Sequence, residues 1–94
     1  MGLTKLIEIE PNNPEYYNNL GFAYFNNEEY QKAIDAYTKA IELNPNEGLY
    51  YSDRANAYGK LGKQEELKAD LQRSRRANSD FVSRRFLKLL QLTP

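Results

Sequence analysis

Shifting this chain by thirty-four residues lays it on itself. Thr4-Lys5-Leu6-Ile7-Glu8-Ile9-Glu10-Pro11-Asn12 falls on Thr38-Lys39-Ala40-Ile41-Glu42-Leu43-Asn44-Pro45-Asn46. The same shift puts Tyr16-Tyr17 on Tyr50-Tyr51, Ala23-Tyr24 on Ala57-Tyr58, and Asn44 on Asn78. Agreement in separate stretches at one offset marks a tandem structural unit, and a unit of this length stacks on its neighbours to bury a continuous core.

Inside the unit, the residue spacing is helical. Asn13-Pro14-Glu15 reads as a helix start: a capping amide, a proline at the first helical position and an acid near the positive dipole end. Tyr17, Leu20, Gly21, Tyr24 and Phe25 then recur at the period of one helix face. Asn26-Asn27 interrupts the pattern. A second helix is expected over about Glu28 to Leu43, with Ala33, Ile34, Tyr37, Ala40 and Ile41 as its apolar stripe. Asn44-Pro45-Asn46 ends it, because proline donates no hydrogen bond and disfavours helix in the residue before it. The next unit repeats the plan. Helices are expected over about Gly48 to Leu61 and Lys63 to Arg76, turning at Gly62, with Asn78-Ser79-Asp80 standing where Asn-Pro-Asn stood. A further amphipathic helix is expected from Ser79 to Leu92, striped by Val82, Phe86, Leu89 and Leu90. The fold class is therefore all-α.

The stretch from Tyr17 to Pro45 resembles the tetratricopeptide repeat (TPR). Tyr17 stands at the usual tryptophan, and Leu20-Gly21, Tyr24, Ala33, Tyr37, Ala40 and Pro45 occupy the remaining motif positions in order. The second unit departs further. Arg54-Ala55 replaces Leu-Gly, Leu67 and Ser74 replace the two small alanines, and Ser79 replaces the proline. The resemblance covers about residues 3 to 81. It implies a right-handed superhelical stack of antiparallel helix pairs, a TPR-like α-solenoid of about two repeats with flanking half-elements. Residues 3–13 are expected to be the tail of a preceding repeat helix, 14–47 the first repeat, 48–81 the second and 82–94 a C-terminal helix.

The resemblance also implies where a ligand would lie: on the concave face lined by the first helix of each pair. The residues of those helices that the packing motif leaves unused are Asn18, Asn19, Phe22, Phe25 and Asn26, then Ser52, Asp53, Asn56 and Lys60. Asparagine side chains donate and accept at once, which suits an extended peptide backbone. Phe22 and Phe25 offer an apolar patch. An ordinary solvated helix face is the competing reading, and Phe25 is also placed to pack on the inter-helix turn. Family members that grip the Glu-Glu-Val-Asp tails of chaperones carry lysine, asparagine and arginine at positions matched here by Asn18, Phe22, Asp53, Ser83 and Leu87. Those cations are missing, so that partner is not expected.

Composition excludes several other classes. There is no cysteine and no histidine, which removes disulfides, thiolate chemistry, the usual zinc sites and Ser-His or Cys-His nucleophile pairs. Glu28-Glu29 and Glu65-Glu66 open second helices, where acids favour the helix dipole, and do not read as an acid/base pair. Gly59-Lys60-Leu61-Gly62-Lys63 lacks phosphate-loop spacing. No enzyme activity and no cofactor are expected. Thirteen basic and thirteen acidic residues cancel, which gives no general attraction to nucleic acid or to an anionic membrane. Lys68, Arg73, Arg75, Arg76, Arg84, Arg85 and Lys88 do gather in the last third. They read as a solvated surface with head-to-tail attraction between copies, and the competing reading is a docking patch for an acidic partner or nucleic acid. No apolar run reaches the ~20 residues of a membrane helix, and the first residues lack a signal-peptide core, so a cytoplasmic location is expected. The expected function is non-enzymatic protein or peptide binding. The alternative is a self-associating or spacer segment, forming homo-oligomers through its terminal helices.

Overall fold

The structure is a computed structural model that describes the backbone of residues 2–91 and the side chains of residues 2–78. Five helices and no strand occur among the described residues: α1 (Leu3–Ile9), α2 (Pro14–Asn26), α3 (Tyr30–Leu43), α4 (Gly48–Lys60) and α5 (Gln64–Gln91). α2 pairs with α3, α4 pairs with α5, and α3 packs on α4 to join the two pairs. Among the described residues α1 rests on α2 alone, and α2 also touches α4.

Local chemistry sets the helix ends. Asn13 Oδ1 accepts from the Glu15 N–H at 3.0 Å, and Pro14 takes the first helical position of α2. In α4 the same place is held by Glu47, whose carboxylate accepts from the Leu49 N–H at 3.4 Å. Both inter-helix turns share one hydrogen-bond pattern. Glu29 N–H donates to Tyr24 O at 2.9 Å and Glu28 N–H to Phe25 O at 3.0 Å. Thirty-four residues on, Lys63 N–H donates to Tyr58 O at 2.9 Å and Gly62 N–H to Gly59 O at 3.1 Å. This arrangement satisfies the last carbonyls of each helix and needs a left-handed residue at its apex. Gly62 supplies it at φ 74°, whereas Glu28 is forced to φ 62°.

The core lies between α3 and the first helices on either side of it. Ala33, Ile34, Tyr37 and Ala57 form one buried cluster, with Tyr24, Phe25 and Tyr58 packed around it. Gly21 gives the Tyr37 ring its place: a methyl group there would lie 2.5 Å from Tyr37 Cε1. The less regular second repeat is repacked by exchanging large and small residues. Phe25 packs near Ala33 in the first repeat, whereas the equivalent positions hold Gly59 and Leu67. A methyl on Gly59 would come within 2.9 Å of Leu67 Cδ1, so the lost ring makes room for the larger aliphatic. Exchanges that conserve volume are the ones cores tolerate best.

A second exchange is polar. Leu20 and Ala36 of the first repeat become Arg54 and Asp70 in the second. Arg54 Nε and Nη2 donate to the two Asp70 oxygens, each at 2.7 Å, and Arg73 Nη1 adds a third contact to Asp70 at 2.9 Å. Asp70 is 0% exposed. Arg54 Nη1 also donates to Thr38 Oγ1 at 3.1 Å, tying α4 to the preceding repeat. The guanidinium sits between the Tyr51 and Tyr58 rings, 6.0 and 5.7 Å from their centroids.

The expected break at Asn78-Ser79-Asp80 is corrected: α5 runs through it as a single helix of 28 residues, about 42 Å long. Ser79 stands where Pro45 ends α3. Serine keeps its N–H and leaves the preceding residue free to stay helical, so nothing at this point stops the ladder. The segment expected to form a separate C-terminal helix therefore continues α5 as far as Gln91. Residues 92–94 of that segment lie outside the described residues.

Candidate functional site

α2 and α4, the first helices of the two pairs, stand side by side, while their partners α3 and α5 pack on other sides. Between their leading ends lies a cleft of about 280 Å³, lined by Glu15, Asn18, Asn19, Glu47, Leu49 and Tyr50. Asn18, one of its lining residues, ties the two helices: its Nδ2 donates to Asp53 Oδ2 at 3.0 Å. Burial raises the Asp53 carboxyl above the usual carboxylate range, and the Asn18 amide pulls the other way. Tyr37, also affected by the Asp53 charge, has its phenol pushed up to about 12, mainly by burial. Burial, then the Glu47 and Glu15 carboxylates, also raise the Tyr50 phenol.

The nine candidate residues separate by environment. Asn18 and Asp53 are half-buried and bonded to each other, and Asn19 lies beside them at the cleft. Phe22 is 56% exposed one turn further along α2. Asn26, Asn56 and Lys60 are exposed toward the trailing ends of the helices. Ser52 uses its hydroxyl within its own helix, donating to Leu49 O at 3.0 Å. Phe25 is turned inward: its ring meets the Tyr30 ring edge-on, with centroids 5.3 Å apart and planes at 69°, and packs on the core cluster.

Sequence reasoning passed over Glu15, Glu47, Leu49 and Tyr50, which line the cleft. A signal for Glu15 was present, since it lies one helical turn before Asn18 and Asn19 and so shares their face. Leu49, 54% exposed, adds an apolar edge. The arrangement offers carboxylates, amides able to donate and accept, and two exposed apolar side chains. Among the described residues, no cluster of His, Cys, Asp and Glu is placed to hold a metal ion, and no helix is long and apolar enough to cross a membrane.

Two family models, both described as tetratricopeptide repeat, match residues 14–47 and 36–69. The fold is similar to solved structures of MamA. One, designated MSR-1, is 29% identical with a TM-score of 0.79 over 83% of this chain and 45% of that one. Another is 25% identical with a TM-score of 0.83 over 86% and 47%. A third, designated AMB-1, is 30% identical with a TM-score of 0.76 over 82% and 42%. The chain thus spans less than half the length of these structures. No curated protein sequence gives a significant match.

Proposed function

Starting from the fact that this chain belongs to the tetratricopeptide-repeat family, we propose that it is a non-enzymatic scaffold that captures a protein or peptide segment on the face of α2 and α4. The observation that supports this reading is the cleft between those helices, lined by Asn18, Asn19 and exposed Leu49, with Asn18 bonded to Asp53 and exposed Phe22 one turn further along α2. Hydrogen-bonding groups set beside apolar side chains suit an extended segment: the amides hold its backbone and the apolar edge takes a side chain.

The charge of the cleft narrows the partner. Glu15 and Glu47 line it and are acidic, so a segment bearing lysine or arginine fits and an acidic tail is repelled. Asn19, Phe22 and Leu49 form the contact surface, with Asn18 beside them and bonded to Asp53. Asn56 and Lys60 extend it toward the trailing ends of α2 and α4.

A displayed peptide library selected against the immobilised chain tests this. Basic–apolar sequences are expected to enrich, and Asn19→Ala with Phe22→Ala is expected to weaken their binding at least tenfold without changing far-UV circular dichroism. Equal binding by that double variant would remove the face from consideration.

A further inference from the structure

A second cleft, of about 300 Å³, opens where α5 passes the loop that leads into α4. Pro45, Asn46, Tyr51, Arg73, Arg76 and Ala77 line it. Arg73 and Arg76 stand one helical turn apart and share a side of α5. The packing beneath them leaves positive charge over. Asp70 is 0% exposed and already receives Arg54 on its two oxygens, each at 2.7 Å. Arg73 Nη1 brings a second guanidinium to the same carboxylate at 2.9 Å, yet the Arg73 side chain stays 52% exposed. Asp70 thus holds Arg73 in place without cancelling both arginines, and Arg76 adds a further charge to the lining. The Tyr51 hydroxyl donates to Pro45 O at 2.8 Å and fastens the loop to α4. No acid lines the cleft among the described residues; Glu47 belongs to an adjoining one, with Asn46, Ala77 and Asn78. The first repeat stacks without this feature. Thirty-four residues back, the two arginines are Lys39 and Glu42, whose charges cancel, and Asp70 is Ala36. The doubled charge is therefore not a requirement of helix pairing.

We propose that this cleft is a second binding site, one that takes an aspartate or glutamate side chain on an acidic segment of a protein partner. It shares no lining residue with the cleft between α2 and α4 and is opposite to it in charge. Guanidinium donors match the two oxygens of a carboxylate in one plane, and the pairing of Arg54 with Asp70 uses that match inside the fold. Arg73 keeps donors beyond its bond to Asp70, and Asn46 adds an amide able to donate to the carboxylate or accept from the segment's backbone. A singly charged group suits the charge left over. A phosphate would bring nearly two charges toward Asp70, which already draws on Arg73. A nucleic-acid strand needs cations along its backbone and open rings for its bases. Here two arginines stand beside Tyr51, the aromatic residue of the lining, which is only 9% exposed.

Fluorescence anisotropy of a labelled Glu-Leu-Glu-Glu-Leu-Glu peptide with the full chain tests this. The comparison ligands are the same peptide with glutamine for glutamate, the same peptide with phosphoserine for glutamate, and an oligothymidylate. The glutamate peptide is expected to bind at least tenfold more tightly than any of them. Arg76→Glu introduces the residue type that the first repeat carries at this position, and is expected to weaken binding at least tenfold with unchanged far-UV circular dichroism. Arg75→Glu makes the same charge change on α5 at a residue that does not line the cleft, and is expected to leave binding nearly unchanged. Asn19→Ala with Phe22→Ala is likewise expected to leave it unchanged, which separates this site from the face of α2 and α4. In NMR spectra of the wild type, the glutamate peptide is expected to shift the Asn46 amide signals and the Arg73 and Arg76 Nε–H signals. The proposal is overturned by a glutamate peptide that does not bind, by a comparison ligand that binds as tightly or more so, or by NMR signals of these three residues that do not move. It is equally overturned if Arg75→Glu weakens binding as much as Arg76→Glu does, or if the Asn19 and Phe22 double variant abolishes it.

Discussion

Glu28 occupies a position shaped for glycine. The capping turn it shares with Gly62 demands a left-handed backbone, and a side chain there costs about 1–2 kcal/mol. Glu28→Gly is expected to stabilise the fold, by roughly 0.5–1 kcal/mol once the greater freedom of glycine in the unfolded chain is offset. Chemical denaturation would show it as a raised midpoint with an unchanged slope. Asp53 is strained in a different way. Its carboxyl is raised by burial, so the folded state still holds the proton where the unfolded chain has released it. Its contribution to stability therefore falls as pH rises from about 3.9, the unfolded carboxylate value, through the raised folded value. Asp53→Asn keeps an acceptor for the Asn18 amide and removes the titration. The variant should be no less stable than wild type at pH 7, and the stability difference between the two should shrink as pH drops below 4. An equal difference at both pH values would contradict the assigned shift.

At the level of helices, overlaying the two repeats shows how one packing scheme tolerates different contents. Asp70→Ala leaves Arg54 buried without its partner and is expected to cost about 3–5 kcal/mol. Arg54→Leu together with Asp70→Ala rebuilds the Leu20–Ala36 contents of the first repeat. That double variant is expected to recover the loss and to match wild type or exceed it, as replacements of buried ion pairs often do. A double-mutant cycle by denaturation measures the coupling. Helix positions were legible in the sequence because the caps and the apolar spacing agree: Asn13-Pro14 opens α2 and Pro45 follows the end of α3. The continuity of α5 was not, since Asn78-Ser79-Asp80 resembles the earlier break in place while lacking the proline that enforces it. The replacement of Ala33 by Leu67 read only as a departure from the repeat motif. Its compensation by Gly59 emerges only when both positions are compared at the same offset. Of the candidate face, the amides and Phe22 could be chosen by helix register. Phe25 shares that register yet turns into the core, because the small Ala33 leaves room for its ring beside Tyr30.

For the molecule as a whole, two helix pairs lean on one another through α3 and leave the first helices to form a common face. The proposed peptide surface follows from that single stacking. The acidic residues of the cleft escaped the sequence reading for the same reason, since Glu47 reaches it from a helix cap in the following repeat and not from the body of α2. Methyl-labelled NMR tests the stacking directly, through nuclear Overhauser contacts within ~5 Å. Cross-peaks are expected from the Ala57 methyl to the Ile34 side chain, between the two repeats, and from the Gly21 α-protons to the Tyr37 ring, within the first. A spectrum holding the Gly21–Tyr37 contact but no Ile34–Ala57 contact would mean that the pairs do not stack, and would contradict the shared face.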